Sequence, residues 1–121
     1  MDARAKSDDG SAPRRHLLTG QFGSVVERIE SHRIRLEPGQ RAPLHEHPGG
    51  VMGYVEAGDI VLQVAGEAPV SLGPGDVFHE PPGARIARFD NVSTAAPAQF
   101  VAFYPLTGDQ PLATLLEPTG E

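Results

Sequence analysis

Ile60-Val61-Leu62-Gln63-Val64-Ala65-Gly66-Glu67-Ala68-Pro69-Val70-Ser71-Leu72-Gly73-Pro74-Gly75-Asp76-Val77-Phe78-His79-Glu80-Pro81-Pro82-Gly83 consists of three short extended runs separated by turn chemistry. Ile60, Leu62 and Val64 alternate with Val61, Gln63 and Ala65, the period-2 pattern of a strand, and the run ends at Gly66-Glu67. Val70–Leu72 closes at Gly73-Pro74-Gly75-Asp76, and Val77–Glu80 at Pro81-Pro82-Gly83, where glycine and proline favour tight reversals. The same grammar extends in both directions. Upstream, Val51–Glu56 is followed by Ala57-Gly58-Asp59, Leu44–His47 stops at Pro48-Gly49-Gly50, and the alternating end of Val25–Leu36 turns at Pro38-Gly39. Downstream, Arg85–Phe89 closes at Asp90-Asn91, and Gln99–Tyr104 is the last strong strand. Some eight short strands at intervals of about 8–12 residues predict an all-β sandwich or barrel. Nothing before residue 110 has a helical period. Pro111–Leu116 reads either as one helical turn or as leucines laid over an open end of the barrel.

The 121 residues suit one domain, expected over 16–121 with a short C-terminal tail from about 105. Residues 1–15 are polar, mixed in charge and aperiodic, and are expected to form a disordered arm. Fourteen glycines and 12 prolines supply the turns of such a fold. A net charge of −6 with ten basic residues argues against nucleic acid as a partner. The absence of cysteine excludes disulfides, thiolate metal sites and a cysteine nucleophile. No apolar run approaches the ~18 residues of a membrane span, and the N-terminus lacks the apolar stretch of a secretory signal. A cytoplasmic protein without membrane contact is expected.

The chemistry is concentrated in Gly39-Gln40-Arg41-Ala42-Pro43-Leu44-His45-Glu46-His47-Pro48-Gly49. On a strand, residues two apart share a face, so His45 and His47 point together. Paired neutral imidazoles suit a borderline divalent metal. Two exposed histidines beside a Pro-Gly loop would give the same pattern.

Spacing across two separated stretches distinguishes these readings. Gly39, His45, His47 and Gly58 stand at the intervals of the first cupin motif, and Gly75, Pro81 and Gly83 at those of the second. Over about residues 30–104 the chain resembles the cupin superfamily, which implies a double-stranded β-helix. It departs from that pattern at the metal ligands. The first-motif glutamate slot falls on Val51 with Met52 next, the second-motif histidine slot on Ile86, and the asparagine slot on Asp90 with Asn91 adjacent. Cupin variants that lack the first-motif glutamate often carry Glu-Pro-Pro-Gly where this chain has Glu80–Gly83. In typical relatives the Glu80 position faces the core, which implies the same for Glu80.

Strand alternation forbids His79 and Glu80 from both facing inward. Three arrangements are compatible with the sequence. His45, His47 and Glu80 hold a metal; or His79 takes the third place; or the histidines line a pocket without metal. A buried Glu80 needs a metal, a proton or an arginine, for which Arg33, Arg35, Arg41 and Arg88 are candidates. Glu80 also has the character of a general base, and Tyr54 is a candidate phenol for the pocket. Gln63, Arg88 and Tyr104 are candidates for the barrel mouth, and Phe22, Phe78, Phe89, Phe100 and Phe103 for the core.

The resemblance implies a small-molecule-binding protein with a divalent transition metal (Zn, Fe, Mn, Ni or Cu). Oxygenase, isomerase, lyase or cyclase chemistry on a small oxygen-rich substrate is then expected. The alternative is a metal-free metabolite-binding or sensor domain. Small cupins are often homodimers, and the same is expected here.

Overall fold

Residues 4–5, 12–23 and 25–117 are described by a computed structural model. Alternating sequence and glycine turns produce eleven strands and, among the described residues, no helix. They are β1 (Arg4–Ala5), β2 (Arg14–Arg15), β3 (Arg28–Leu36), β4 (His45–Glu46), β5 (Val51–Ala57), β6 (Ile60–Val64), β7 (Val70–Leu72), β8 (Val77–Glu80), β9 (Ile86–Asn91), β10 (Ala98–Leu106) and β11 (Thr114–Leu115). All pairings are antiparallel: β3-β10-β5-β8 form one sheet, β11-β4-β9-β6-β7 a second, and β1-β2 a separate pair.

The expected all-β architecture is correct. Each of the eight strands read from the sequence is present within a few residues of its expected bounds. The exceptions lie at the ends. Of the arm expected over residues 1–15, positions 1–3 and 6–11 lie outside the described residues, while Arg4–Ala5 and Arg14–Arg15 pair with each other. The tail forms no helical turn. Its β11 pairs with β4, Leu116 N–H donates to the Leu44 carbonyl at 2.9 Å, and Leu112 packs on the core. Pairing with an open sheet edge satisfies backbone groups that an isolated turn would leave to water.

The inner faces of the two large sheets enclose Leu36, Val51, Val55, Ile60, Leu62, Ile86 and Leu106, all buried. Rings from both sheets meet at the centre: Phe89 lies 5.3 Å from Phe78 and 4.8 Å from Phe100. Two of the five phenylalanines expected in the core are outside it. Phe103 is three residues from Phe100 on β10, so the strand period turns it to the opposite face, and Phe22 packs over Gly50 on the exterior. Gly58 is required by the β5–β6 turn: its φ is +93°, and a Cβ there would lie 2.7 Å from Ala98.

Asn91 ties the loops at one end together. It is buried, donates from Nδ2 to the carbonyls of Leu36, Glu37 and Ala96, and accepts from the Ser93 N–H at Oδ1. The β6–β9 register slips by one where Gln63 faces Arg88 and Val64 faces Ile86. The unpaired residue, Ala87, lies between Ile86 and Asp90, the histidine and asparagine slots, and the buried asparagine stands one position beyond its slot. Asp90, in the slot itself, pairs with Arg88 at 2.9 Å and with Arg41 at 3.9 Å.

Candidate metal centre

His45 and His47 come from β4 and the residue just beyond it, and both are buried. Their rings lie 4.8 Å apart, as same-face neighbours on an extended segment should. Each is oriented by a backbone acceptor: His45 Nδ1 donates to the Pro43 carbonyl at 2.7 Å, and His47 Nδ1 to the Leu112 carbonyl at 2.8 Å. A carbonyl only accepts, so the ring hydrogen sits on Nδ1 and the Nε2 lone pair is left free. That is the outer hydrogen bonding typical of metal-ligating histidines.

Both Nε2 atoms turn toward Glu80. Glu80 Oε1 is 2.8 Å from His47 Nε2 and 4.0 Å from His45 Nε2, and the residue is only 2% exposed. The donor atoms of all three lie within 4.8 Å of one another. Two lone pairs cannot face each other at 2.8 Å without a proton or a cation between them. Burial pushes the His47 pKa down, but the Glu80 hydrogen bond, the Glu80 charge and the Leu112 carbonyl together raise it above its usual 6.5. In the metal-free chain a proton shared by the pair satisfies both groups below that raised value. Arg33, Arg35, Arg41 and Arg88 are engaged elsewhere: Arg33 with Glu56, Arg35 with Glu37, and the other two with Asp90.

The cluster lines a cavity of about 140 Å³. Its other walls are apolar, from Ile34, Leu36, Ala42, Val51, Phe78, Phe89, Phe100 and Ala102, and Tyr104 adds a single hydroxyl. Burial and then the charge of Glu80 push the Tyr104 phenol up to about 12, so it is neutral at physiological pH. The two slots that lost their usual ligands are both buried: Val51 faces Glu80 across the β5–β8 ladder, and Ile86 faces His45 on β9.

His79 and Tyr54 are not part of this cluster. Alternation along β8 sends Phe78 and Glu80 inward and His79 out, where its ring meets Phe22 edge-on at 5.1 Å. Among the described residues His79 Nε2 is buried without a hydrogen-bond partner, and burial lowers its pKa. Tyr54 lies on the outer face of β5 beside Leu17, Val77 and Phe103. Gln63 bonds the Glu67 carbonyl and Arg88 pairs with Asp90, so of the three mouth candidates only Tyr104 reaches the cavity. The carbonyls of Pro43 and Leu112 could not have been singled out in advance, because every residue carries one.

The donor set fits a divalent transition metal: two oriented imidazoles and one carboxylate make the three protein ligands usual in catalytic sites, with room for an exogenous ligand. A two-sheet β-barrel with a His-x-His pair opening into its interior defines the class. The sequence profile described as the cupin domain matches residues 32–104, and the chain belongs to that family. Solved structures agree on the fold. The DMSP lyase DddQ from Ruegeria pomeroyi DSS-3 aligns with a TM-score of 0.66 at 22% identity, over 77% of this chain and 45% of that one. A cupin-like protein from Thermotoga maritima MSB8 aligns with a TM-score of 0.65 at 25% identity, over 77% and 68%. An oxalate oxidase in complex with glycolate aligns with a TM-score of 0.61 at 21% identity, over 72% and 45%. The chain thus spans under half the length of the lyase and of the oxidase. No curated protein matches it in sequence. Among the described residues no helix is long and apolar enough to cross a membrane.

Proposed function

We propose that this cupin holds one divalent transition metal through His45 Nε2, His47 Nε2 and Glu80, and acts on a small oxygen-rich molecule in the adjoining cavity. The observation that carries this reading is the convergence of two oriented imidazole lone pairs and a buried carboxylate within 4.8 Å. A bound metal of this kind supplies Lewis-acid polarisation of a ligand oxygen or, if redox-active, electron transfer. The protein's own contribution is positional. The Pro43 and Leu112 carbonyls hold the rings in the ligating tautomer, and the phenylalanine walls limit water and substrate size. Lyase or oxidase chemistry on a small acid, as named for the DMSP lyase and oxalate oxidase neighbours, is in keeping with a cavity of this size.

A second reading, a metal-free metabolite-binding domain, draws on the same contact, because a proton between His47 and Glu80 also satisfies both groups. Elemental mass spectrometry of untagged protein, purified without chelator, separates the two. Near one equivalent of a single transition metal per chain is expected. A content near zero, unchanged by dialysis against Zn, Mn, Fe and Ni, would retire the metal reading.

A further inference from the structure

Four side chains with polar atoms line the cavity, and three of them converge on the metal position. Tyr104 is the fourth. Its ring lies 5.5 Å from that of His47, and among the described residues nothing hydrogen-bonds its hydroxyl. A cavity-lining phenol that no protein group engages is free to give its hydrogen bond to a ligand oxygen.

The charge of the site narrows the ligand. Two neutral imidazoles and one carboxylate leave a divalent cation with one net positive charge inside apolar walls. Burying an uncompensated charge is unfavourable, and a monoanion removes it whereas the neutral phenol cannot. At about 140 Å³ the cavity is well below the ~300–1,000 Å³ of pockets that take drug-sized ligands, which favours a short chain.

We infer that Tyr104 is the specificity-determining donor of this site, giving a hydrogen bond to an oxygen of a short-chain monocarboxylate. The inference rests on the metal centre proposed above and adds to it a substrate class and a residue.

The test uses the full chain loaded with Zn²⁺ and its Tyr104→Phe variant. Zinc content is measured first, and each protein is then titrated by calorimetry with acetate, propionate and, as an uncharged control, 1-propanol. One zinc per chain is expected in both. The variant should bind acetate and propionate about 10–100-fold more weakly, the span of a hydrogen bond to a charged group. Neither protein should favour 1-propanol. A spectroscopic readout is independent of the variant's folding. The chain has two tyrosines and no tryptophan, so in Tyr54→Phe the near-ultraviolet band belongs to Tyr104 alone. Acetate should red-shift that band in the zinc-loaded protein. Equal acetate affinity in the wild type and Tyr104→Phe, or an unmoved band, overturns the role of Tyr104 and leaves the metal centre standing. Zinc retention without carboxylate binding overturns the substrate class. Failure of the wild type to retain zinc removes the metal centre and the inference with it.

Discussion

Val51 and Glu80 stand directly opposite each other on β5 and β8, both buried and both lining the cavity. Val51 occupies the slot that the first cupin motif gives to glutamate. The carboxylate absent from one strand is therefore supplied by its nearest cross-strand neighbour. Opposed residues on an antiparallel pair hold their Cβ atoms only about 4.5–5.5 Å apart, so a metal held by Glu80 would lie close to the position the motif's glutamate serves.

The relation predicts an outcome for exchanging the two side chains. Glu80→Val should weaken zinc binding by at least about 100-fold, because even outer-shell partners account for about 10–100-fold. Adding Val51→Glu to that variant should recover most of the loss. Val51→Glu alone opposes two carboxylates, so it should destabilise the metal-free protein and be rescued by zinc in thermal melts. Zinc calorimetry on the exchanged pair decides the matter: no recovery would mean that the two positions are not equivalent as ligand sites.

Removing both imidazoles, His45→Ala with His47→Ala, should abolish metal retention while the far-ultraviolet β spectrum persists. His47 also anchors the tail through the Leu112 carbonyl. The double variant should therefore show faster hydrogen exchange around β11 than the wild type. A double variant that keeps its metal would refute the ligand assignment.

The pH dependence follows from His47. Its folded pKa is raised above 6.5. In the metal-free protein the protonated pair stabilises the fold fully below about pH 6.5, and that contribution is lost as pH rises through the folded value. Metal must displace this proton, so zinc affinity should fall by about tenfold per pH unit once pH drops below the raised His47 pKa. Parallel melts and zinc titrations across that window should show opposite slopes. A pH-independent affinity would place the proton elsewhere.

Asn91 is predicted to matter for folding and not for the site. Asn91→Ala leaves the carbonyls of Leu36, Glu37 and Ala96 without their shared donor, which should cost at least about 2 kcal/mol in urea unfolding. Zinc stoichiometry in the folded fraction should be unchanged. A neutral substitution would show that the loops satisfy these carbonyls with water.

The period of two in Ile60–Val64 and the spacing of glycine turns determined the all-β fold. The same period placed His45 and His47 on one face, since both are local properties of an extended chain. Even the cupin family was legible, because its motifs are intervals along the sequence. Alternation also required His79 and Glu80 to face opposite ways, but their directions depended on which side of β8 meets the second sheet. The β5–β8 register decides that by setting Glu80 against buried Val51. Tyr54 was the phenol expected in the pocket and Tyr104 only a candidate for the barrel mouth; the strand faces reverse that order, turning Tyr54 outward on β5 and Tyr104 inward on β10. The tail carbonyl that orients His47 lies 65 residues away in the chain. Contacts of that range arise only when the sheets close, because no local pattern encodes which distant backbone atom will come to rest beside a given ring.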